Sequence, residues 1–250
     1  NDLESMIVHN LDVTGICTSG ITDMSKLFKD NETFNQDISN WDVSNVTSMA
    51  SMFQNSNFNQ PIGNWDTSKV TNIAYMFAYN TEFNQDISRW DTSNVTTAIM
   101  AFNGATKFNQ PIGNWDTSKI ESFEGMLASC PLFNHPLDNW QLTSATSLRF
   151  TFRGAESFNQ DLSHWDTSNI TNMDSTFSYS GFNQDISNWN TSNVMTMSSL
   201  FRNSPFNQDI SSWDTSSSMS MRLMFLLATD FNQDISSWDT SNVIDFAYMF

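Results

Sequence analysis

Large aromatic residues recur along the whole chain at an almost constant interval. A Phe-Asn pair stands seven residues before every tryptophan, and Ile or Leu stands three residues before it. A period of this length is typical of stacked coils, in which each copy buries its apolar side chains against its neighbours. The series uses all nine tryptophans of the chain, at intervals of 24 or 25 residues: Trp41, Trp65, Trp90, Trp115, Trp140, Trp165, Trp189, Trp213 and Trp238.

The residues around each tryptophan predict two short elements in every copy. Ahead of it, Phe34, Gln36 and Ile38 stand at alternate positions, which predicts a short extended strand. After it, Val46 and Phe53 belong to the i, i+3, i+7 spacing of one helical face, which predicts a short helix or 3₁₀ turn. The Asp-Thr-Ser segment found in most copies offers oxygen acceptors to the unpaired amides at the start of that helix.

These elements predict an α/β repeat solenoid, a stack of short parallel strands and short helices or 3₁₀ turns. Like residues of successive copies then lie over one another. Residues 1–28 are predicted to form a divergent first repeat or an N-terminal cap, with Ile16 in the place of the tryptophan. Residues 29–250 form a single array of about nine repeats of 24 or 25 residues that stops within a copy. We therefore interpret the sequence as a segment truncated at its C-terminus.

One polar residue never varies, the asparagine that follows the first phenylalanine of each copy. Buried backbone groups have to be hydrogen-bonded. We therefore expect an internal asparagine column that hydrogen-bonds the backbone of the turns, made of Asn35, Asn59, Asn84, Asn109, Asn134, Asn159, Asn183, Asn207 and Asn232.

Two columns of aspartate are expected along the stack. One lies four residues before the tryptophan, as at Asp37 and Asp161, and the other directly after it, as at Asp66 and Asp166. Like charges about 5 Å apart repel by roughly 1 kcal/mol in water. Either amides of the following turn pair with each carboxylate, which the Asp-Thr-Ser context favours, or Ca²⁺ binds between the coils. No other cofactor is predicted.

The phrase from Phe34 to Met49, which recurs from Phe158 to Met173, resembles the repeat of the BspA-like leucine-rich-repeat surface proteins. The same family includes surface lipoproteins of mycoplasmas with repeats of similar length. The resemblance runs from about Ile16 to Phe250. It implies a leucine-rich-repeat-like stack displayed outside the cell, at a cell surface or on a virion, with relatives that act in adhesion. The family has no catalytic motif to transfer.

Charge and composition exclude several classes of function. The chain has 27 Asp and Glu against 10 Lys and Arg, a net charge of −17, which argues against a nucleic-acid or anionic-membrane partner. Two cysteines are too few for a disulfide scaffold or a Cys-based zinc site. No run of about 18 apolar residues is present, so direct membrane insertion of this segment is not expected.

No grouping of residues in the sequence points to catalysis. Ser and Thr are abundant, but none stands out from the repeat together with a base that would activate it. The eight glycines are scattered singly, so a phosphate-binding loop is missing. We therefore expect a protein that is not an enzyme and has no metal site built from its histidines.

The expected function is binding of another macromolecule, a protein or glycan on a cell or matrix surface, through the exposed strand face. Specificity then resides in residues that depart from the repeat, and the candidate partner-binding residues are Arg89, His135, Asp138, Gln141 and His164. One alternative is a structural component of a filament, cell envelope or virion surface that associates end to end or laterally. A less favoured one is binding of ice or another lattice through Thr and Ser columns, such as Thr67 and Thr92.

Overall fold

The computed structural model describes residues 2–250. One α-helix, α1 (Asp2–Val8), opens this range, and its Leu3 and Ile7 join the core of the stack. The coils that follow are connected by single-residue parallel β-bridges, each between equivalent positions of adjacent coils: Asp23 with Ser48, Ser48 with Asn72, Asn72 with Thr97, Ser147 with Asn172, Asn172 with Thr196, Thr196 with Ser220, and Ser220 with Asp245.

The prediction of an α/β, leucine-rich-repeat-like stack of strands and helices is wrong. Within residues 2–250, α1 is the only helix, and the pairing between coils never extends beyond isolated bridges. The segment from Val46 to Phe53, expected to be helical, holds one bridge residue, Ser48, and a turn from Ala50 onward, and no helix. Ser51 and Asn55 adopt φ values of 58° and 52°, and left-handed residues at this spacing interrupt both helix and strand.

Hydrogen bonds between coils explain why the helix does not form. The amides of Met49, Ser51 and Phe53 donate to carbonyls of the next coil at 2.8–2.9 Å. Only the amides between them close local turns, as Met52 does with Met49 at 3.1 Å. Because alternate amides are directed out of the coil, the i to i−4 bonds of an α-helix lose their donors.

The predicted superposition of equivalent aromatic residues is confirmed. The rings of Trp90 and Trp115 lie 6.2 Å apart with an interplanar angle of 8°. Phe77 stacks on Phe102, its equivalent in the next coil, at 5.5 Å and on Phe83, the first phenylalanine of that coil, at 3.8 Å. The phenylalanine columns are almost fully buried for most of the array. The coils therefore enclose one continuous aromatic core.

One coil fills this core differently. Leu127 stands where eight other copies have phenylalanine, and Phe123 occupies a position that holds methionine in several copies, as at Met49. The ring of Phe123 lies 5.4 Å from Trp140 and 6.3 Å from Trp165. The exchange keeps the core volume nearly constant, which is the kind of core change that costs least.

Adjacent backbones approach closely at several glycines. A Cβ atom added to Gly63 would lie 2.3 Å from the carbonyl oxygen of Asp86 in the next coil. The same is true of Gly113 and the carbonyl oxygen of Pro136, also at 2.3 Å. A backbone atom cannot move aside as a flexible side chain does, so a side chain at Gly63 or Gly113 would force the local backbone to shift.

We predict that Gly63→Ala lowers the free energy of unfolding by about 2 kcal/mol, because the extra methyl group forces two coils apart. Urea denaturation measures the effect. Gly15→Ala is the matched control, since a Cβ at Gly15 has nothing within 4 Å, and it should change stability little. Equal stabilities of the two variants would contradict the close approach.

Candidate recognition surface

The asparagine column hydrogen-bonds the backbone as expected, but it is not internal. The amide of Asn59 donates to Oδ1 of Asn35 at 2.9 Å, and the amide of Asn84 donates to Oδ1 of Asn59 at 3.0 Å. Gln85 adds a bond from its Nε2 to Oδ1 of Asn59 at 2.9 Å. The column lies at the surface, with each member exposed or half-buried. The side-chain oxygen of each asparagine thus accepts a backbone N–H that, in the predicted strand, would have donated to the backbone of a neighbouring strand.

The aspartate columns pair with backbone amides, as the sequence favours, but in turns and not at helix starts. Oδ1 of Asp66 accepts the amide of Ser68 at 3.1 Å and its hydroxyl at 2.6 Å. Oδ1 of Asp37 accepts the amide of Ser39 at 3.0 Å. Asn190 makes the same bonds to Ser192, at 3.1 and 2.7 Å, which explains why asparagine replaces aspartate there.

These bonds lower the pKa of most aspartates of the two columns. The side chain and then the amide of Ser68 lower the pKa of Asp66, and Ser168 acts in the same way on Asp166. Repulsion from Asp66 raises the pKa of Asp42, but by less than its bonds to Ser44 lower it. Among residues 2–250, no group of three or more His, Cys, Asp or Glu side chains could hold a metal ion.

The threonine column proposed for lattice binding is not available at the surface. Thr67 and Thr92 are buried, and their hydroxyls donate to the carbonyls of Asp91 and Asp116 in the next coil, both at 3.0 Å. The threonine hydroxyls therefore connect coils and do not face solvent.

Three of the five candidate partner-binding residues meet in one shallow cleft. Asp138, Gln141 and His164 line a depression of about 370 Å³, together with Asp166 and Asn169 of the following coil. Asn139, Trp140, Leu142 and Thr143 complete a largely polar lining. The cleft lies on the surface where the aspartate column is interrupted by Gln141.

The other two candidates lie elsewhere. His135 is half-buried, and its Nε2 lies 3.1 Å from the carbonyl oxygen of Asn109, where it replaces the glutamine amide of other coils. Arg89 lines a separate depression of about 340 Å³ with Gln85 and Asp86. The structure therefore assigns His135 to coil-to-coil bonding and separates Arg89 from the cleft.

A buried hydrogen bond is missing beside the cleft. In other coils the tryptophan indole N–H donates to a carbonyl of the preceding coil, as Trp140 does to Ile112 at 2.9 Å. Trp165 is only 4% exposed, yet its Nε1 has no partner. Its expected acceptor is the carbonyl oxygen of Leu137. That oxygen lies 3.3 Å from Nε2 of His164, and in the tautomer that carries its proton on Nε2 the imidazole donates to it.

Sequence reasoning found His164 because it breaks the repeat, but it gave no signal for Trp165. That tryptophan is identical in residue type and spacing to the other eight. Only the position of its indole nitrogen relative to the neighbouring coil shows that it differs.

Comparison with known proteins identifies a family. Its sequence profile, described as Mycoplasma protein of unknown function, DUF285, matches residues 2–99, 55–165 and 146–250. The three matches cover nearly the whole chain, so the chain belongs to this family of repeat proteins. No curated protein and no solved structure matches the chain. In the described residues, no helix has the length and apolar character needed to cross a membrane.

We predict that acid weakens the fold through the aspartate columns. The carboxylates have lower pKa values when folded than when unfolded, so their contribution is complete above the unfolded pKa of about 4 and is lost as the pH falls below it. The thermal unfolding midpoint should stay nearly constant from about pH 7 to pH 5 and fall below about pH 4.

Asp166→Asn serves as the control for this acid transition. The amide oxygen can accept the same bonds that Asn190 accepts, so the variant should fold at neutral pH and show a smaller acid-dependent change. A midpoint that does not fall on acidification of the parent chain would contradict the role of these bonds.

We predict that His164→Asn raises the free energy of unfolding by about 1 kcal/mol, because the carbonyl of Leu137 becomes free to accept the indole N–H of Trp165. Asn188→His, at the same repeat position one coil later, should lower stability by a similar amount. Urea denaturation of both variants measures the two effects. A loss of stability in His164→Asn would rule out this competition.

Proposed function

We propose that the protein is a non-enzymatic surface protein that binds another macromolecule, a protein or a glycan, at the cleft of Asp138, Gln141 and His164. Its location is extracellular, at a cell surface or on a virion. Family membership supports this proposal together with the resemblance of the repeat to BspA-like leucine-rich-repeat surface proteins, whose relatives act in adhesion.

The unpaired indole of Trp165 carries the assignment of the site. Buried polar groups are almost always hydrogen-bonded, and the tryptophans of the adjacent coils keep their indole hydrogen bonds. The missing bond of Trp165 costs stability, which we expect a functional gain to offset. His164, which takes the acceptor of Trp165, is exposed and lines the cleft. Sites that break local rules at a cost in stability are characteristic of function.

The chemistry of the cleft suits a polar ligand. Its lining combines the carboxylates of Asp138 and Asp166 with the amides of Gln141 and Asn169 and the imidazole of His164. Such groups donate to and accept from sugar hydroxyls or peptide backbone, but they offer little apolar surface for burial. Coils packed on both sides support the cleft, which reduces the entropy lost on binding.

The test is binding of the purified chain to a glycan array and to immobilised extracellular-matrix proteins. The variant Asp138→Ser/Gln141→Asp/His164→Asn restores the residues that most other coils carry at these positions. We expect it to lose at least tenfold in affinity, because several polar contacts made in the cleft disappear together.

Arg89→Asn is the matched control, because Arg89 occupies the same repeat position as His164 and lies outside the cleft. It should leave binding unchanged. Undiminished binding by the triple variant would refute the cleft as the site. Binding to neither the glycans nor the matrix proteins would count against adhesion itself.

A further inference from the structure

Tyrosine and arginine concentrate on one side of the coils, here called the turn face: residues 72–79, 147–154, 172–179, 196–203, 220–227 and 245–250. All four tyrosines of the chain lie there, each with a positive φ: Tyr75, Tyr79, Tyr179 and Tyr248. Four of the five arginines lie there as well: Arg149, Arg153, Arg202 and Arg222. Tyr and Arg are enriched among the residues that dominate protein–protein binding energy.

Two of these arginines have no carboxylate partner. Arg149 pairs with Glu124 at 3.0 Å, and Arg222 approaches Asp245 at 3.8 Å. Within residues 2–250, Arg153 and Arg202 make no ion pair. The Nε atom of Arg202 is also buried without any hydrogen-bond partner.

Aromatic rings hold both unpaired guanidinium groups in place. Arg153 lies over the ring of Phe150, with its Cζ atom 5.8 Å from the ring centroid. Arg202 lies over the ring of Tyr179 at 5.5 Å. A guanidinium that lies over an aromatic ring keeps N–H donors that a carboxylate can bind.

The spacing of the two groups is set by the stack. Arg153 and Arg202 directly follow Phe152 and Phe201, so they occupy the same repeat position two coils apart. Hydrogen-bonded backbones lie about 4.8 Å apart, which places the two Cα atoms roughly 10 Å apart. A partner that presents carboxylates at this interval engages both groups at once.

The chain itself presents carboxylates at that interval. The aspartates that follow the tryptophans are exposed in four consecutive coils: Asp42, Asp66, Asp91 and Asp116. None of them makes an ion pair within residues 2–250. Within one coil, this column and the arginine position are about half a repeat apart in sequence. Ser178 occupies the repeat position of Arg153, and it follows Asp166 by 12 of about 25 residues. The two surfaces are therefore separated by about half the sequence of a coil.

We propose that a second copy of this chain docks laterally, with its aspartate column against Arg153 and Arg202 on the turn face of the first. The two surfaces are complementary in charge and share one repeat distance. The contact joins different surfaces of the two copies and leaves one of each free, so it continues into open rows. This inference does not depend on the cleft at Asp138 and is separate from the proposed function.

The same geometry disfavours other occupants. A glycan that stacks on aromatic rings would meet guanidinium groups already lying over Phe150 and Tyr179. A foreign acidic polypeptide supplies carboxylates but has no fixed interval that matches the coils. A second copy supplies both properties.

Analytical ultracentrifugation of the whole chain over increasing protein concentration and ionic strength tests the proposal. The weight-average mass should rise with concentration at moderate salt and fall again at high salt, because added ions screen the contact. Arg153→Glu/Arg202→Glu should weaken association at least tenfold. Arg153→Gln/Arg202→Gln should weaken it less, and thermal unfolding of each variant verifies that it is folded.

Lys69→Glu/Lys119→Glu is the matched control. It alters net charge by the same amount, at two exposed residues that are also two coils apart but lie beside the aspartate column. It should not weaken association. If it weakened association as much as the arginine variant, net repulsion would explain both effects and the proposal would be wrong.

A charge-exchange experiment with two variant chains is the decisive test. Asp66→Arg/Asp116→Arg places two cations two coils apart in the column, and this chain should associate with the Arg153→Glu/Arg202→Glu chain in a mixture. Absence of mixed association would overturn the proposal, as would a parent chain that stays monomeric throughout. A monomeric parent that binds poly-aspartate through Arg153 and Arg202 would assign the turn face to a foreign acidic polypeptide instead.

Discussion

The structure depends on the parallel stacking of identical aromatic side chains in successive coils. The Phe77 ring stacks on Phe83 and Phe102 of the next coil and on Phe53 of the preceding one, so each ring is shared between neighbours. Such pairs contribute about 0.5–1.5 kcal/mol beyond their area burial, and a column repeats the gain in every coil. Because each coil contacts only adjacent coils, stability accumulates along the stack and needs no central core of another kind.

In this stack, the backbone groups are hydrogen-bonded without forming regular helices or sheets. Alternate amides bond to the next coil, and side chains complete the network: asparagine on the Phe-Asn side, aspartate at the turns and tryptophan through its indole. The polar composition and the low apolar fraction of 39% are consistent with this use of side chains in place of strand or helix ladders. Surface aspartates thus have a structural role before any role in binding.

Function is expected where the repeated bonding fails. Trp165 and Arg202 carry the two unpaired buried side-chain atoms of residues 2–250, and they lie in different coils. Comparison of the repeats in the sequence identified Asp138, Gln141 and His164, because their residue types differ from those at the same position in most other coils. It found neither Trp165, which is a regular member of its column, nor the pair of Arg153 and Arg202, whose relation depends on the register of the coils.

The sequence by itself determined the period, the identity of the columns and the superposition of like residues, because spacing of large apolar side chains is a property of the chain alone. Tertiary structure decided the backbone conformation. The segment from Val46 to Phe53 has helical spacing, yet its amides bond to carbonyls about 24 residues away. The Phe-Asn segment has strand spacing, yet asparagine side chains take its amides. In both segments the competing acceptor belongs to a neighbouring coil, which local sequence cannot reveal.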